Sequence, residues 1–358
     1  MVPSLILKWR SYVRANQWWA FKAAPILGFT YLYFYLFTFS FTDKIIIFFL
    51  SAMTILGIAG FGYFINDLCD IEPDKKAGKK NPFDGKSFLF IIQVGIVLTV
   101  LALTPWIFLR SKMVIWVLLS FQIILYLLYA LPHIRLKEKS IWGPICDALY
   151  GHAVPITIAC LTYEQYVGGN LPYNEQLFFA VLFIWQFFKG MRNIFLHQLE
   201  DYDNDNKAHI QTLTTEKGQD AIYKSIIRVI LPLEFILMVA FLFILVPFLP
   251  WIILYLIFFF VIYILGHGLF RNTPWNAHKY TPNTYIYLLN NFYETYLPIF
   301  FLTWCIYKET EAVSILIIHL ILFPSTIWMI SNDLKKALIE LRIQLDNFAS
   351  STLRKLKK

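Results

Sequence analysis

Charge is what this chain lacks most. Of its 358 residues only 15% are Asp, Glu, Lys or Arg, against about 25% in an average soluble chain. That shortage, with 58% hydrophobic residues and a mean hydropathy of +0.58, excludes a disordered protein. It also argues against the two-domain soluble enzyme that length alone would suggest. Cysteine is scarce as well. Cys69, Cys146, Cys160 and Cys305 lie far apart, with no metal spacing and no obvious pairing, so a disulfide-stapled secreted domain is excluded. The four read as small apolar side chains in helices. A cleavable signal is missing too: the first apolar run follows Lys8, Arg10, Arg14 and Lys22, is long, and has no small-residue cleavage site. What remains is the composition of a polytopic membrane protein, with 18% aromatic residues.

A spanning helix needs about 20 mostly apolar residues. Ten segments qualify, near 23–41, 45–65, 88–109, 113–132, 144–166, 176–196, 223–247, 250–270, 284–306 and 312–331, the fifth and ninth carrying the most polar residues. With the N-terminus cytoplasmic, 23 of the 31 Lys and Arg fall on the cytoplasmic side. Only Lys44, Arg110, Lys112 and Lys308 fall opposite, and ten spans place the basic C-terminus inside, as the positive-inside rule asks. The expected fold is therefore all-α, a multi-pass bundle of integral membrane helices with both termini and the polar loops cytoplasmic. A transmembrane domain over 1–331 is followed by a basic tail, 332–358. In the tail Leu334, Leu338, Leu341, Leu345 and Phe348 alternate at steps of four and three, a stripe that suits either a partner helix or a helix lying on the anionic inner leaflet.

Most of the polar chemistry sits at two helix ends on the cytoplasmic side. The first, Asn66 to Asp74, reads NDLCDIEPD; the second, His197 to Asp205, reads HQLEDYDND. On helices, Asn66, Asp67, Asp70 and Asp74 share an arc of about 100°. His197, Gln198, Asp201 and Asp205 share the same arc in the same order, 131 residues later. Pro73 should end or kink the first helix. Clustered carboxylates at a membrane boundary need a cation among them. Mg²⁺ takes oxygen ligands and bridges carboxylates to a substrate diphosphate, neutralising it as a leaving group. A single such loop reads as a solvated acidic turn balanced by Lys75, Lys76, Lys79 and Lys80; two at one spacing point to a metal–diphosphate site. A calcium loop is excluded, because Asn206 stands where the turn glycine belongs and Thr212 where the bidentate glutamate belongs.

These motifs resemble those of the UbiA-type intramembrane prenyltransferases. NDLCDIEPD matches the family's NDxxDxxxD at every specified position. QLEDYDND is similar to its DxxDxxxD, with Gln198 in the first slot and Asp201 and Asp205 retained. The segment from Tyr129 through Arg135 to Lys137 is similar to the family's tyrosine-and-basic stretch. The resemblance covers roughly residues 20 to 310. It implies a helix bundle around a lipid-open cavity with a cytoplasmic polar cap, and prenyl transfer from a prenyl diphosphate to a hydrophobic acceptor, aromatic or lipid, with loss of diphosphate. Family members usually have nine spans, against the ten that charge favours here.

On this reading Asp67, Asp70, Asp74, Asp201 and Asp205 hold Mg²⁺, with Asn66 and Gln198 as further ligands or supports. Asp67, Asp70 and Asp201, with Arg135 and Lys137 on the diphosphate oxygens, carry catalysis. Tyr129, His197 and Gln198 contact substrate. Glu234, Asn291 and Glu294 lie inside apolar spans, where a carboxylate is a functional candidate; Glu294 is assigned to the acceptor, and Asp147 is a weaker case of the same kind. Lys189 and Arg192 lie off the acidic face and should snorkel to the headgroups. Membrane lipids are expected partners and nucleic acid is not. A terpene cyclase on the same scaffold and a non-catalytic isoprenoid-lipid carrier stay open, whereas an alcohol phosphatidyltransferase is disfavoured because its DG-containing aspartate signature is absent.

Overall fold

In a bilayer a backbone has no water to bond to, so an apolar run must close its hydrogen bonds within itself as a helix. The computed structural model, which describes residues 12–76, 78–109, 111–167, 173–207, 210–266 and 288–356, follows that rule. Its principal helices are α1 (Ala24–Leu36), α2 (Phe41–Cys69), α3 (Phe88–Phe108), α4 (Met113–Ala130), α5 (Trp142–Glu164), α6 (Glu175–Lys207) and α7 (Gln219–Leu245). They continue as α8 (Ile252–Gly266), α9 (Leu297–Lys308), α10 (Val313–Leu322) and α11 (Pro324–Leu356). Among the described residues there is no strand. Among the described residues six helices are long and apolar enough to cross a membrane, or seven if the bent pair α10–α11 counts as one. The chain is an integral, multi-pass membrane protein.

Local chemistry sets the helix starts. The Ser40 hydroxyl accepts from the Asp43 N–H at 3.1 Å and caps α2, and Ser87 does the same for α3 through Phe90. α2 packs on α3, α1 on α9, α6 on α7, and α8 on α11. Large apolar side chains such as Ile96, Val117 and Ile236 stay outside, on faces turned from the bundle. Among the described residues four π turns widen the helices: Trp19–Ala23 before α1, Leu149–Ala153 within α5, Ile226–Ile230 within α7, and Phe292–Tyr296 before α9.

Two prolines reshape expected elements. Pro73 removes one intrahelical bond and its ring crowds the Cys69 carbonyl, so α2 stops at Cys69 and a short helix, Ile71–Lys76, comes next. The expected span 312–331 is not one straight crossing. It breaks at Phe323, before Pro324, and turns through 90°. The Leu322 carbonyl freed by the break accepts from Trp19 Nε1 at 3.2 Å. Position 332, the expected start of the tail, falls inside α11. That helix turns Thr326, Asp333, Ala337 and Glu340 inward, while Leu334, Leu338, Leu341 and Leu345 point outward. The Tyr296 hydroxyl donates to Asp333 Oδ2 at 3.0 Å. The Phe348 side chain and the expected loop 271–283 lie outside the described residues. Cys69, Cys146, Cys160 and Cys305 are all free, and all but Cys69 are buried.

The tightest helix contact rests on Gly57. A Cβ there would stand 2.2 Å from the Ala102 nitrogen and 2.5 Å from the Leu101 carbonyl carbon, both backbone atoms that cannot swing away. Gly57→Ala is therefore expected to destabilise the protein by about 1–3 kcal/mol. Gly95→Ala, which would meet only the Phe64 ring at 3.2 Å, should cost less. Unfolding midpoints of the two variants in one detergent check this.

Candidate functional site

The α2 and α6 ends open on one cavity of about 2620 Å³. Asn66, Asp70 and Asp74 line it from the first side, and His197, Gln198, Asp201 and Asp205 from the second. Tyr129, Arg135, Lys137 and Glu294 line it as well. Of the residues singled out in the sequence for metal or substrate, only Asp67 stands behind the wall.

Asp67 is fully buried and held by Arg14, whose Nη2 lies 2.6 Å from Oδ1 and whose Nε donates to Oδ2 at 3.0 Å. It sits at the edge of the 100° arc, where the chain before α1 approaches. Gln198 occupies the corresponding slot on α6 and behaves alike: it is buried, and its Oε1 accepts from Thr214 Oγ1 at 3.1 Å. No cation needs matching there, and a neutral amide fits.

Asp70 is held from the loop after α4. Lys137 Nζ donates to its two oxygens at 2.7 and 2.5 Å and to Asn66 Oδ1 at 3.0 Å. Arg135 Nη2 adds a bond of 3.1 Å to Asp70 while its Nε holds Glu138. Arg135 reaches this position with φ of 45°, a left-handed backbone that starts the short turn Leu136–Glu138. Burial lowers the Lys137 ammonium below its ordinary pKa, against the pull of Asp70. Asn81 completes the first half, donating from Nδ2 to Asp74 Oδ2 at 2.9 Å and to the Asp67 carbonyl at 2.8 Å. On the second half His197 and Asp201 are more open, with Nε2 and Oδ2 3.4 Å apart.

The donor set is all oxygen on both sides, as a hard divalent cation requires. Among the described residues no three carboxylate, imidazole or thiol groups already converge to metal-binding distance. Basic side chains hold Asp67 and Asp70. Such a set suits an ion that takes one or two carboxylates and completes its shell with phosphate oxygens.

Other expectations meet a different outcome. Lys189 and Arg192 do not snorkel. Both are buried: Lys189 Nζ lies 3.4 Å from Glu294 Oε1, and Arg192 grips Glu234 at 2.5 and 2.8 Å and Asn290 at 2.6 Å. The low-dielectric interior holds each cation because a carboxylate on a neighbouring helix sits at the same depth. Thus Glu234 and Glu294, picked as functional candidates, are ion-pair partners across helices. Arg14, Asn81 and Thr214 were missed. Arg14 was readable only as loop charge, and no sequence signal pairs it with Asp67.

Residues 26–291 match the model of the UbiA prenyltransferase family. No curated protein matches the sequence significantly. Among solved structures, a UbiA homologue from Archaeoglobus fulgidus bound to GPP and Mg²⁺ is 17% identical with a TM-score of 0.56, over 83% of this chain and 99% of that one. The same homologue bound to DMAPP and Mg²⁺ is 16% identical, TM-score 0.55, with the same coverage. At these identities the likeness is one of fold.

The Arg14–Asp67 pair yields a stability test. Arg14→Gln leaves a buried carboxylate without its cation, at a cost of up to about 3 kcal/mol, the low end for a buried pair because Arg14 is partly exposed. Adding Asp67→Asn should recover most of the loss. A double-mutant cycle on unfolding midpoints checks it.

Proposed function

We propose, from the premise that the chain belongs to the UbiA prenyltransferase family, that it transfers a prenyl group from a prenyl diphosphate to a hydrophobic acceptor within the membrane, in a Mg²⁺-dependent reaction that releases diphosphate. The observation that supports this most is the pair of acidic helix ends, 131 residues apart in sequence, facing one cavity. The A. fulgidus homologue's DMAPP, GPP and Mg²⁺ support the same ligand classes here.

Asp70, Asp74, Asp201 and Asp205 are the residues that would hold the ion, with Asn66 and Gln198 supporting from each side and Asp67 tied to Arg14 in the absence of ligand. Bound there, Mg²⁺ supplies positive charge to the diphosphate as its carbon–oxygen bond breaks. Lys137 and Arg135, which already point at Asp70, contact the diphosphate oxygens and add charge-assisted hydrogen bonds. Tyr129 forms the wall beneath them, edge-on to Tyr150 with ring centroids 5.2 Å apart. The apolar tail lies in the bundle, where water is excluded and the allylic cation is protected from hydrolysis. The acidic loops and both termini face the cytoplasm, and residues 332–358 lie along the inner leaflet with their outward leucines in lipid.

The test is diphosphate release by the purified protein from ten- to twenty-carbon allylic diphosphates, with and without Mg²⁺ and a membrane-lipid extract. Release that needs both is the expected result, and the modified lipid identifies the acceptor. Release without extract instead identifies a cyclase. Asp70→Ala and Asp201→Ala should each lose at least about 100-fold, the several kcal/mol that a positioned metal charge contributes. Full activity in both variants would sink the proposal.

A further inference from the structure

The cavity holds a second polar centre, deeper than the acidic ends, and π turns build it. Such turns inside α-helices mark functional sites more often than chance. Three of the four here carry its residues: Trp19–Ala23 bears Lys22, Leu149–Ala153 bears Tyr150 and Gly151, and Phe292–Tyr296 bears Glu294. These residues line the cavity, as does Asp147 just before the second turn.

Its charges are matched unevenly. Glu294 is held by Lys189 and Glu234 by Arg192. Lys22 has no carboxylate within ion-pair distance among the described residues; its Nζ makes only a 3.4 Å contact with the Gly151 carbonyl. Asp147 Oδ1 accepts from the Tyr150 hydroxyl at 2.6 Å, and Oδ2 has no partner among them. Both atoms border one notch over Gly151. A Cβ on that glycine would stand 2.8 Å from Lys22 Nζ and 3.8 Å from Asp147 Oδ2. The two do not pair, and both lie within 4 Å of one point over Gly151, where an oxygen can meet Lys22 Nζ directly and Asp147 Oδ2 after a small shift. Gln122, which also lines the cavity, fixes the backbone beside the notch: its Nε2 donates to the Tyr150 carbonyl at 2.9 Å.

We propose that the notch between Lys22 and Asp147, floored by Gly151, binds an uncharged hydroxyl group of the acceptor, which accepts from Lys22 Nζ and donates to Asp147 Oδ2. This rests on the reading of the cavity as a prenyl-transfer site. The hydroxyl must be neutral because Lys22 and Asp147 already balance each other across the gap. A carboxylate there would be an unmatched charge in a low-dielectric interior. Asp147 thereby takes the acceptor role that the sequence assigned first to Glu294, whose carboxylate is committed to Lys189.

Binding of 1-naphthol to the full-length protein in lipid nanodiscs at neutral pH, followed by the probe's own fluorescence, tests the notch without turnover. Two further probes are 1-methoxynaphthalene, which cannot donate, and 1-naphthoate, which is charged. The native protein should bind 1-naphthol at least 10-fold more tightly than either. Gly151→Ala, which fills the notch with one methyl group, and Asp147→Asn, which removes the charge, should each weaken 1-naphthol at least 10-fold at an unchanged unfolding midpoint. If a variant misfolds, the comparison of the three probes on the native protein still decides. Equal affinity for the ether or the carboxylate, or no loss in a folded Gly151→Ala variant, as water alone in the notch would give, overturns the inference. Mg²⁺-dependent binding of GPP to the native protein is measured alongside. Its absence defeats the prenyl-transfer reading whatever 1-naphthol does, so the two failures are separable.

Discussion

An ion drawn into an apolar interior loses several kcal/mol of hydration unless a counter-ion and hydrogen bonds meet it there. That constraint organises the bundle. Arg192 joins α6 to Glu234 on α7 and reaches Asn290, next to the π turn before α9. Lys189, one turn earlier, reaches Glu294. Arg14 ties the chain before α1 to Asp67 on α2, and Lys137 ties the loop after α4 to Asp70. At the far end of the bundle Lys44 pairs with Glu309, joining the start of α2 to the end of α9. Each pair fixes the depth and rotation of one helix against another, which lipid-facing apolar contacts do weakly.

The same constraint explains the asymmetry between the two halves of the site. Asp67 and Gln198 are equivalent positions of a repeat, each bonded to a neighbouring element, although Gln198 also borders the cavity and Asp67 does not. The first neighbour brings a guanidinium, and the residue is an aspartate. The second brings the Thr214 hydroxyl, and the residue is an amide. The loss of charge in the second motif thus reflects the group that packs behind it.

In a chain so poor in charge, every acidic cluster stands out, which is why the two motifs and their common side of the membrane were legible. The acidic-motif residues that line the cavity follow from helical periodicity, with Asp67 at the arc's edge as the exception. Partnerships between distant segments were not legible. Nothing near Arg192 names Glu234, and the expectation that Lys189 and Arg192 reach the headgroups failed because their counter-charges lie 105 and 42 residues away, respectively. The break at Pro324 was visible as a proline but is averaged away in any window long enough to detect a span. The π turns left no compositional trace, and the family likeness, carried by motifs at the acidic ends, says nothing of the Lys22–Asp147 notch.

Each π turn has a consequence for how such a cavity changes over generations. It accommodates one more residue than the α-helix around it, so deleting a single residue there restores the regular ladder while the helix on either side keeps its azimuth. At Leu149–Ala153 such a deletion would change the side chains that border the cavity at the turn, Tyr150 and Gly151 among them, while later side chains of α5 such as Tyr163 stay in place. Insertions and deletions of one residue at such turns can therefore recut the cavity wall while the acidic helix ends stay in place.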